Sequence, residues 1–382
     1  MSSLMLSGIS ENWLHWVVET VVHRMINGDG TSAKINYFSY MILVTGGTGF
    51  LGAHLLFQLT SDGHKVTALK RNASTIRLTE KIFSHYSNEP AALLNMIKWV
   101  EGDLLDINSL LDVFEDVEQL YHTAALVSLN EGDNKLLLET NVQGTANVVN
   151  AALEKNVTKM CYVSTIGALG YEADHEIIDE ETPWDTSVKK SDYSKSKHEA
   201  EREVWRGMAE GLNAVIVNPS VIIGPGDWNN GSPKIFTTVY NGIKFYPRGT
   251  NGFVDVNDVV SAMVKLMYSD ITTSRFIVNS ENISYQQLFN WIAKGLNMPE
   301  PKYKAGKLLG EAGWRMAKLL SLFSSKSPAI TWSAIQSSSR YYSYSNNKLL
   351  HTIDIKMMPV KESVEKTAKL FLNDLKLRRK NP

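Results

Sequence analysis

Cysteine is almost missing from this chain. The single Cys161 among 382 residues excludes an internal disulfide and any cysteine-cluster zinc site, and points to a reducing compartment. Neither charge is in excess, since 39 lysines and arginines meet 40 aspartates and glutamates. A nucleic-acid binder relying on a broadly basic surface is therefore not expected. No uninterrupted apolar run reaches the roughly 18 residues that a membrane-crossing helix needs. The N-terminus also lacks the basic, apolar and small-residue succession of a secretory leader, so a cytoplasmic protein is expected. His54, His64, His122 and His175 show no metal-ligand spacing, and no metal site is expected. What remains, 43% apolar and 21% charged, is an ordinary globular composition, long enough for one large α/β domain or two smaller ones.

Residues 1–40 read differently from the rest. Leu14, Val17, Val18, Val21, Val22, Met25 and Ile26 recur at helical spacing beside Trp13 and Trp16. Three readings stay open: an interfacial or partner-binding helix, a helix packed on its own domain, or an extension ahead of a natural start at Met41. From Met41 onward apolar runs alternate with helical stretches. Strands are expected at Met41–Thr45, Val66–Leu69, Ile97–Val100, Gln119–His122, Met160–Ser164 and Ala214–Asn218, and helices at Ala53–Thr60, Leu136–Leu153 and Ser194–Met208. The alternation predicts an α/β fold over residues 41–223, a Rossmann-like doubly wound parallel sheet with right-handed crossovers. After Gly224-Pro225-Gly226 the pattern loosens, and residues 224–382 are expected to form mainly a smaller substrate-binding lobe, with the chain returning to the sheet. Within that lobe Lys304–Phe323 reads as a packed helix, as a pocket lid, or as a membrane-surface helix that admits a lipid-like substrate.

The strongest local signal is Thr45-Gly46-Gly47-Thr48-Gly49-Phe50-Leu51-Gly52, which follows an apolar strand and opens a helix. Glycines there permit a tight turn and let the backbone approach a pyrophosphate, whose charge meets the helix N-terminus. The next strand ends in Lys70-Arg71, with no acid for a ribose 2′-hydroxyl. A forked guanidinium and an ammonium at that point suit a 2′-phosphate, so NADP(H) is favoured over NAD(H).

A tyrosine is a weak acid, with an ordinary pKa of about 10. A lysine one helical turn on stabilises its phenolate, which is the logic of Tyr193 and Lys197. The same spacing recurs at Tyr240/Lys244, Tyr303/Lys307 and Tyr344/Lys348. Only Tyr193 follows a strand ending in hydroxyl residues and opens a helix between two strands. Thr165 is the candidate for orienting a substrate oxygen, with Ser164 as its alternative because adjacent strand residues face opposite sides. The acidic run Asp174, Glu176, Asp179, Glu180 and Glu181 reads as a solvated loop.

Further landmarks follow in order: Gly102-Asp103, His122-Thr123-Ala124-Ala125, Asn141-Val142-Gln143-Gly144-Thr145, Tyr162-Val163-Ser164-Thr165, Asn218-Pro219 and Phe253-Val254-Asp255-Val256-Asn257-Asp258. With the glycine loop and the Tyr193 motif, this series resembles the extended short-chain dehydrogenase/reductase superfamily (NAD-dependent epimerase/dehydratase) from Met41 to about Lys366. The pattern is most similar to dihydroflavonol-4-reductase-like and 3β-hydroxysteroid dehydrogenase-like members. The resemblance implies cofactor contacts from Gly46, Gly47, Thr48, Gly49, Phe50, Leu51, Gly52, Lys70 and Arg71. It adds Asp103 and Leu104 on the adenine side, and Ala124, Ala125, Tyr193, Lys197 and Pro219 on the nicotinamide side. It implies Thr165, Tyr193 and Lys197 as the catalytic set, and an architectural role for Asn141.

The expected activity is reversible hydride transfer between NADPH and a ketone or aldehyde. A nucleotide-sugar epimerase or dehydratase retaining NAD is the alternative, and a non-enzymatic NADP(H)-binding regulator the third. Val221 and Thr250-Asn251-Gly252 stand where sugar-nucleotide members often carry an asparagine and a basic residue, which leans toward a reductase. The expected partner is a small-molecule substrate, with a homodimer as the analogy the family offers.

Overall fold

Short runs of apolar and β-branched residues, too brief for helices, become strands wherever glycine, proline or polar turns bound them. The computed structural model describes residues 41–128, 131–171, 177–188, 190–305 and 338–380. The stretch 1–40, nearly all of Lys304–Phe323, and Asp174, His175 and Glu176 lie outside the described residues. Among those described, ten strands have three or more residues: β1 (Ile42–Thr45), β2 (Val66–Lys70), β3 (Ile97–Glu101), β4 (Gln119–His122), β5 (Lys159–Val163), β6 (Ala214–Pro219), β7 (Val221–Ile223), β8 (Thr250–Asp255), β9 (Ser274–Val278) and β10 (Glu281–Ser284). Nine α-helices have seven or more: α1 (Phe50–Ser61), α2 (Arg77–Tyr86), α3 (Ile107–Val113), α4 (Gly144–Glu154), α5 (Asp192–Ala209), α6 (Lys234–Tyr240), α7 (Val256–Met267), α8 (Tyr285–Gly295) and α9 (Val360–Lys380).

Seven strands pair in parallel in the order β9-β6-β5-β4-β1-β2-β3. A two-residue side-chain period divides the core. Ile42, Val44, Ala68, Tyr121, Cys161, Val215 and Val217 pack toward α1, α2 and α7. Leu43, Leu69, Leu120, Met160, Tyr162 and Ile216 pack toward α3, α4 and α5. The sheet is thus covered on both faces, the doubly wound Rossmann-like architecture that the alternation predicts. At Ser220 the chain leaves it: Pro219 still pairs with Val278, while Val221 begins a second sheet of order β10-β8-β7. β9, from the C-terminal part, extends the main sheet beside β6. No described helix is long and apolar enough to cross a membrane.

Two local expectations need correction. The helix expected over Leu136–Leu153 is broken by a π-helical segment, Leu138–Gln143, between the helix Asn134–Leu137 and α4. The cause is Asn141, which turns inward and clamps the Leu126 backbone, accepting from its N–H at 2.7 Å and donating to its carbonyl at 3.0 Å. Glu180 is not solvated either. It is only 4% exposed and accepts the Ile277 N–H at 2.8 Å. Burial pushes its carboxyl up, against that hydrogen bond. An acidic run in sequence did not reveal that one member closes the free edge of β9.

On α9, Asp374 gathers Lys81 (2.5 Å), His85 (2.9 Å) and the Trp228 indole N–H (2.6 Å). They lie beside a groove of about 530 Å³ that none of the expected site residues lines. Burial opposes the charge of Asp374, but the three hydrogen bonds outweigh it and hold its pKa at about 2, against an ordinary 3.8. A depressed carboxyl stabilises the fold above its unfolded pKa, and that stability is lost as pH falls through the folded value. Acid titration of unfolding should therefore show about 2 kcal/mol lost between roughly pH 4 and pH 2. Asp374→Asn should remove this slope; an unchanged slope would show the cluster contributes nothing.

Candidate functional site

Parallel strands bring all their carboxyl ends to one edge, and ligands of such sheets sit where the strand order reverses. Here that point lies between β1 and β4, because β2 and β3 run to one side of β1 and β4 to the other. The glycine turn falls on it. Gly46 has φ +76°, and a Cβ there would stand 2.6 Å from the Ala124 nitrogen. The Gly49 N–H closes the turn on the Gly46 carbonyl at 2.9 Å. Gly49 is also the N-cap of α1, which has no side-chain cap and no acid in its first turn. The N–H groups of that turn are thus left for an outside acceptor, with the helix dipole favouring an anion. A tight turn, a close backbone approach and an uncapped helix end are what a pyrophosphate requires, so the residues present fit a dinucleotide.

Thr79 on α2 donates to the Gly47 carbonyl at 3.0 Å and braces the turn from outside. Lys70, at the end of β2, is paired with Glu101 at 3.2 Å. Arg71 follows it, exposed and without an ion pair among the described residues. The two cations that look alike in sequence therefore differ: Lys70 is partly neutralised and Arg71 is not. Asp103 is exposed past β3, and one of its oxygens accepts the Leu105 N–H at 3.0 Å. Leu104 presses on Gly144, and its carbonyl accepts from Asn147 at 2.8 Å. The Ala124 backbone abuts the glycine turn, with its N–H 3.4 Å from the Thr45 hydroxyl, and Ala125 follows it along the same stretch. Pro219 is buried at the end of β6.

On the other side of the reversal point stand Thr165, Tyr193 and Lys197. The Ser191 hydroxyl accepts the Ser194 N–H at 3.1 Å and starts α5, which puts Tyr193 in the first turn. Gly167 lies between Thr165 and Ser194, within reach of both, so the Thr165 turn sits against that first turn. The Thr165 hydroxyl accepts the Gly167 N–H at 3.2 Å and keeps its own proton to donate. Ser164 is 5% exposed, and its hydroxyl is buried without a partner among the described residues. Of the repeated Tyr-x-x-x-Lys spacings, Tyr240 lies at the end of α6 with Lys244 beyond it, and Tyr344 is in a two-residue strand. Among the described residues only Tyr193 and Lys197 share one helix.

Lys197 is 1% exposed. Its ammonium donates to the Tyr162 hydroxyl at 2.6 Å and to the Val163 carbonyl at 2.8 Å, not to Tyr193. Burial pushes its pKa down to about 7, and the carboxylate of Glu201, one turn on, opposes that shift. The Tyr193 hydroxyl has no hydrogen bond among the described residues, and burial pushes its pKa up to about 12. The lowering expected from Lys197 is thus absent in this state, because that ammonium is committed elsewhere. Glu201 in turn is held by Asn218 (2.9 Å) and Arg275 (3.1 Å), so its buried charge is satisfied. Tyr162, Thr145 and Glu201 were not singled out from the sequence. Tyr162 stands inside a quoted motif, but its meeting with Lys197 depends on which helix covers which strand.

Known proteins resemble this chain in sequence and fold. The model of the NAD dependent epimerase/dehydratase family matches residues 42–277. Sterol demethylase protein B of Methylococcus capsulatus is 30% identical over 264 residues, 68% of this chain and 76% of that protein. A candidate dihydroflavonol 4-reductase of Synechocystis sp. is 28% identical over 354 residues, 89% and 98% of the two chains. The crystal structure of gox2253 superposes with a TM-score of 0.72 at 27% identity, covering 87% of this chain and 98% of that one. The chain therefore belongs to the NAD-dependent epimerase/dehydratase family, the extended short-chain dehydrogenase/reductases, and is an NAD(P)-dependent enzyme of that type.

Proposed function

We propose that this enzyme is an NADP(H)-dependent reductase of ketones or aldehydes, working reversibly as an alcohol dehydrogenase. The observation that carries the choice of cofactor is Arg71, an exposed guanidinium with no carboxylate partner among the described residues at the end of β2, where no acid stands to receive a ribose 2′-hydroxyl. The similarity to a candidate dihydroflavonol 4-reductase supports the same direction of chemistry.

In this reading the first turn of α1 and the glycine turn hold the pyrophosphate, Asp103 and Leu104 border the adenine, and Arg71 takes the 2′-phosphate. Ala124, Ala125 and Pro219 border the nicotinamide, which when bound supplies or accepts the hydride. Thr165 donates its hydroxyl proton to the substrate oxygen and fixes its orientation. Tyr193 gives its proton to that oxygen as the alkoxide develops, and takes it back in the reverse direction. Lys197, with two N–H bonds committed, has a third for a ribose hydroxyl and places a positive charge beside the Tyr193 helix turn.

The test is a fluorescence titration with NADPH and, separately, NADH. Wild type should bind NADPH more tightly. Arg71→Ala should raise the NADPH Kd by about 10- to 100-fold, the worth of a charge-assisted hydrogen bond, and leave NADH binding nearly unchanged. Tighter binding of NADH by wild type, or tightly retained NAD, would refute the NADPH assignment and favour epimerase chemistry.

A further inference from the structure

We propose that Tyr162 is a positioning residue for Lys197: its hydroxyl accepts from the ammonium and holds the lysine side chain in place, while its ring stacks on His122 in a buried polar row that runs to Thr45, at the foot of the glycine turn. The proposal rests on the reading of Lys197 as the partner of Tyr193.

Register builds the row. Thr45 pairs directly with His122 across β1 and β4, and His122 with Tyr162 across β4 and β5. The three side chains face α4 and α5. His122 is 2.6 Å from the Thr45 hydroxyl through Nδ1 and 3.1 Å from the Thr145 hydroxyl through Nε2. Thr145 also acts on the Tyr162 hydroxyl, favouring its ionised form against the effect of burial, and the Tyr162 oxygen is 2.6 Å from Lys197 Nζ. An ammonium can only donate, so Tyr162 accepts there. His122 joins Thr45 to Thr145 through its two ring nitrogens, one donating and the other accepting while the ring is neutral. A neutral imidazole completes the row, and burial, helped by the nearby Lys197 charge, holds the His122 pKa at about 3.

The groups facing Lys197 are few. Tyr162 and the Val163 carbonyl accept from it, and Glu201 favours its charged form. His122 and Tyr193 are neutral. Burial has brought the lysine down to about 7, so losing one of its two acceptors should lower the share that is charged at neutral pH.

Tyr162→Phe keeps the ring that stacks on His122, at 5.5 Å between centroids, and removes only the oxygen. Loss of an acceptor from a charged donor should lower the Lys197 pKa by about one to two units. Carbon-13 NMR of ε-labelled lysine in the full chain without cofactor reads this directly. A downward shift is expected in Tyr162→Phe, a smaller one in Thr145→Val, and recovery in Thr145→Ser. If Tyr162→Phe does not fold, the Thr145 pair carries the test. In turnover the alkaline limb should move down with the lysine, because the charged form is present only below its pKa. A Lys197 titration unchanged in the folded variants overturns the proposal. The titration needs neither cofactor nor substrate, so an inactive wild type with a shifted Lys197 would sink only the reductase reading.

Discussion

Turnover of Tyr193→Phe should fall by about 10²–10⁴-fold, the usual contribution of a positioned acid/base, while cofactor affinity and stability stay close to wild type. The separation follows from the geometry. The Tyr193 hydroxyl has no hydrogen bond among the described residues, so removing it leaves no buried group unpaired, and phenylalanine keeps the ring. Losing a hydroxyl that has no partner should change stability by less than about 1 kcal/mol, the net worth of a hydrogen bond. The phenol is pushed up to about 12, so the protonated form needed for reduction is fully populated at neutral pH, whereas oxidation needs the phenolate and should gain as pH rises. Steady-state carbonyl reduction, with a parallel NADPH titration, measures both quantities. Activity within tenfold of wild type would remove Tyr193 from the mechanism, whatever the cofactor affinity.

Gly52→Ala should destabilise the protein although it replaces a glycine inside a helix. Helix propensity points the other way, since alanine is favoured over glycine in a helix by about 1 kcal/mol. The new Cβ, however, would stand 2.2 Å from the Gly46 carbonyl oxygen, 2.7 Å from its carbon and 2.9 Å from the Thr123 hydroxyl. Two of these are backbone atoms of a turn already pinned by the Gly49–Gly46 hydrogen bond, so they cannot rotate away as a flexible side chain would. Overpacking against so rigid a neighbour costs about 3 kcal/mol, which outweighs the propensity gain. The turn must shift, and with it the N–H groups that face an anion, so dinucleotide affinity should fall at least about tenfold, roughly 1.4 kcal/mol. Denaturant unfolding and cofactor titration of the purified variant measure the two effects. Wild-type values in both would mean that α1 does not pack on the turn as described.

The site was legible where chemistry is local. Glycines between a strand and a helix, a hydroxyl pair at a strand end, and a tyrosine and lysine one turn apart each carry their meaning within a few residues. The partners of those residues were not legible. Lys70 and Arg71 are adjacent and similar in sequence, yet Glu101, from the neighbouring strand, pairs with only the first. Lys197 was expected beside Tyr193 and instead bonds Tyr162, 35 residues earlier. Glu180 read as one of several solvated acids until β9 arrived beside β6 with a free edge N–H for it to accept.

By itself the sequence determined the alternation of strands and helices, the glycine turn at the first strand end, and the placing of Tyr193 and Lys197 on one helix. Each follows from periodicity and backbone freedom, which act over a few residues. Only the tertiary structure decided the order β9-β6-β5-β4-β1-β2-β3 and the registers within it. Those registers align Thr45, His122 and Tyr162 in one buried polar row, and α5 lays Lys197 across its end. Pairing between distant strands is set by how crossover helices bury their apolar faces, and the burial that moves Lys197, Tyr193 and His122 from their ordinary pKa values exists only once those faces have met.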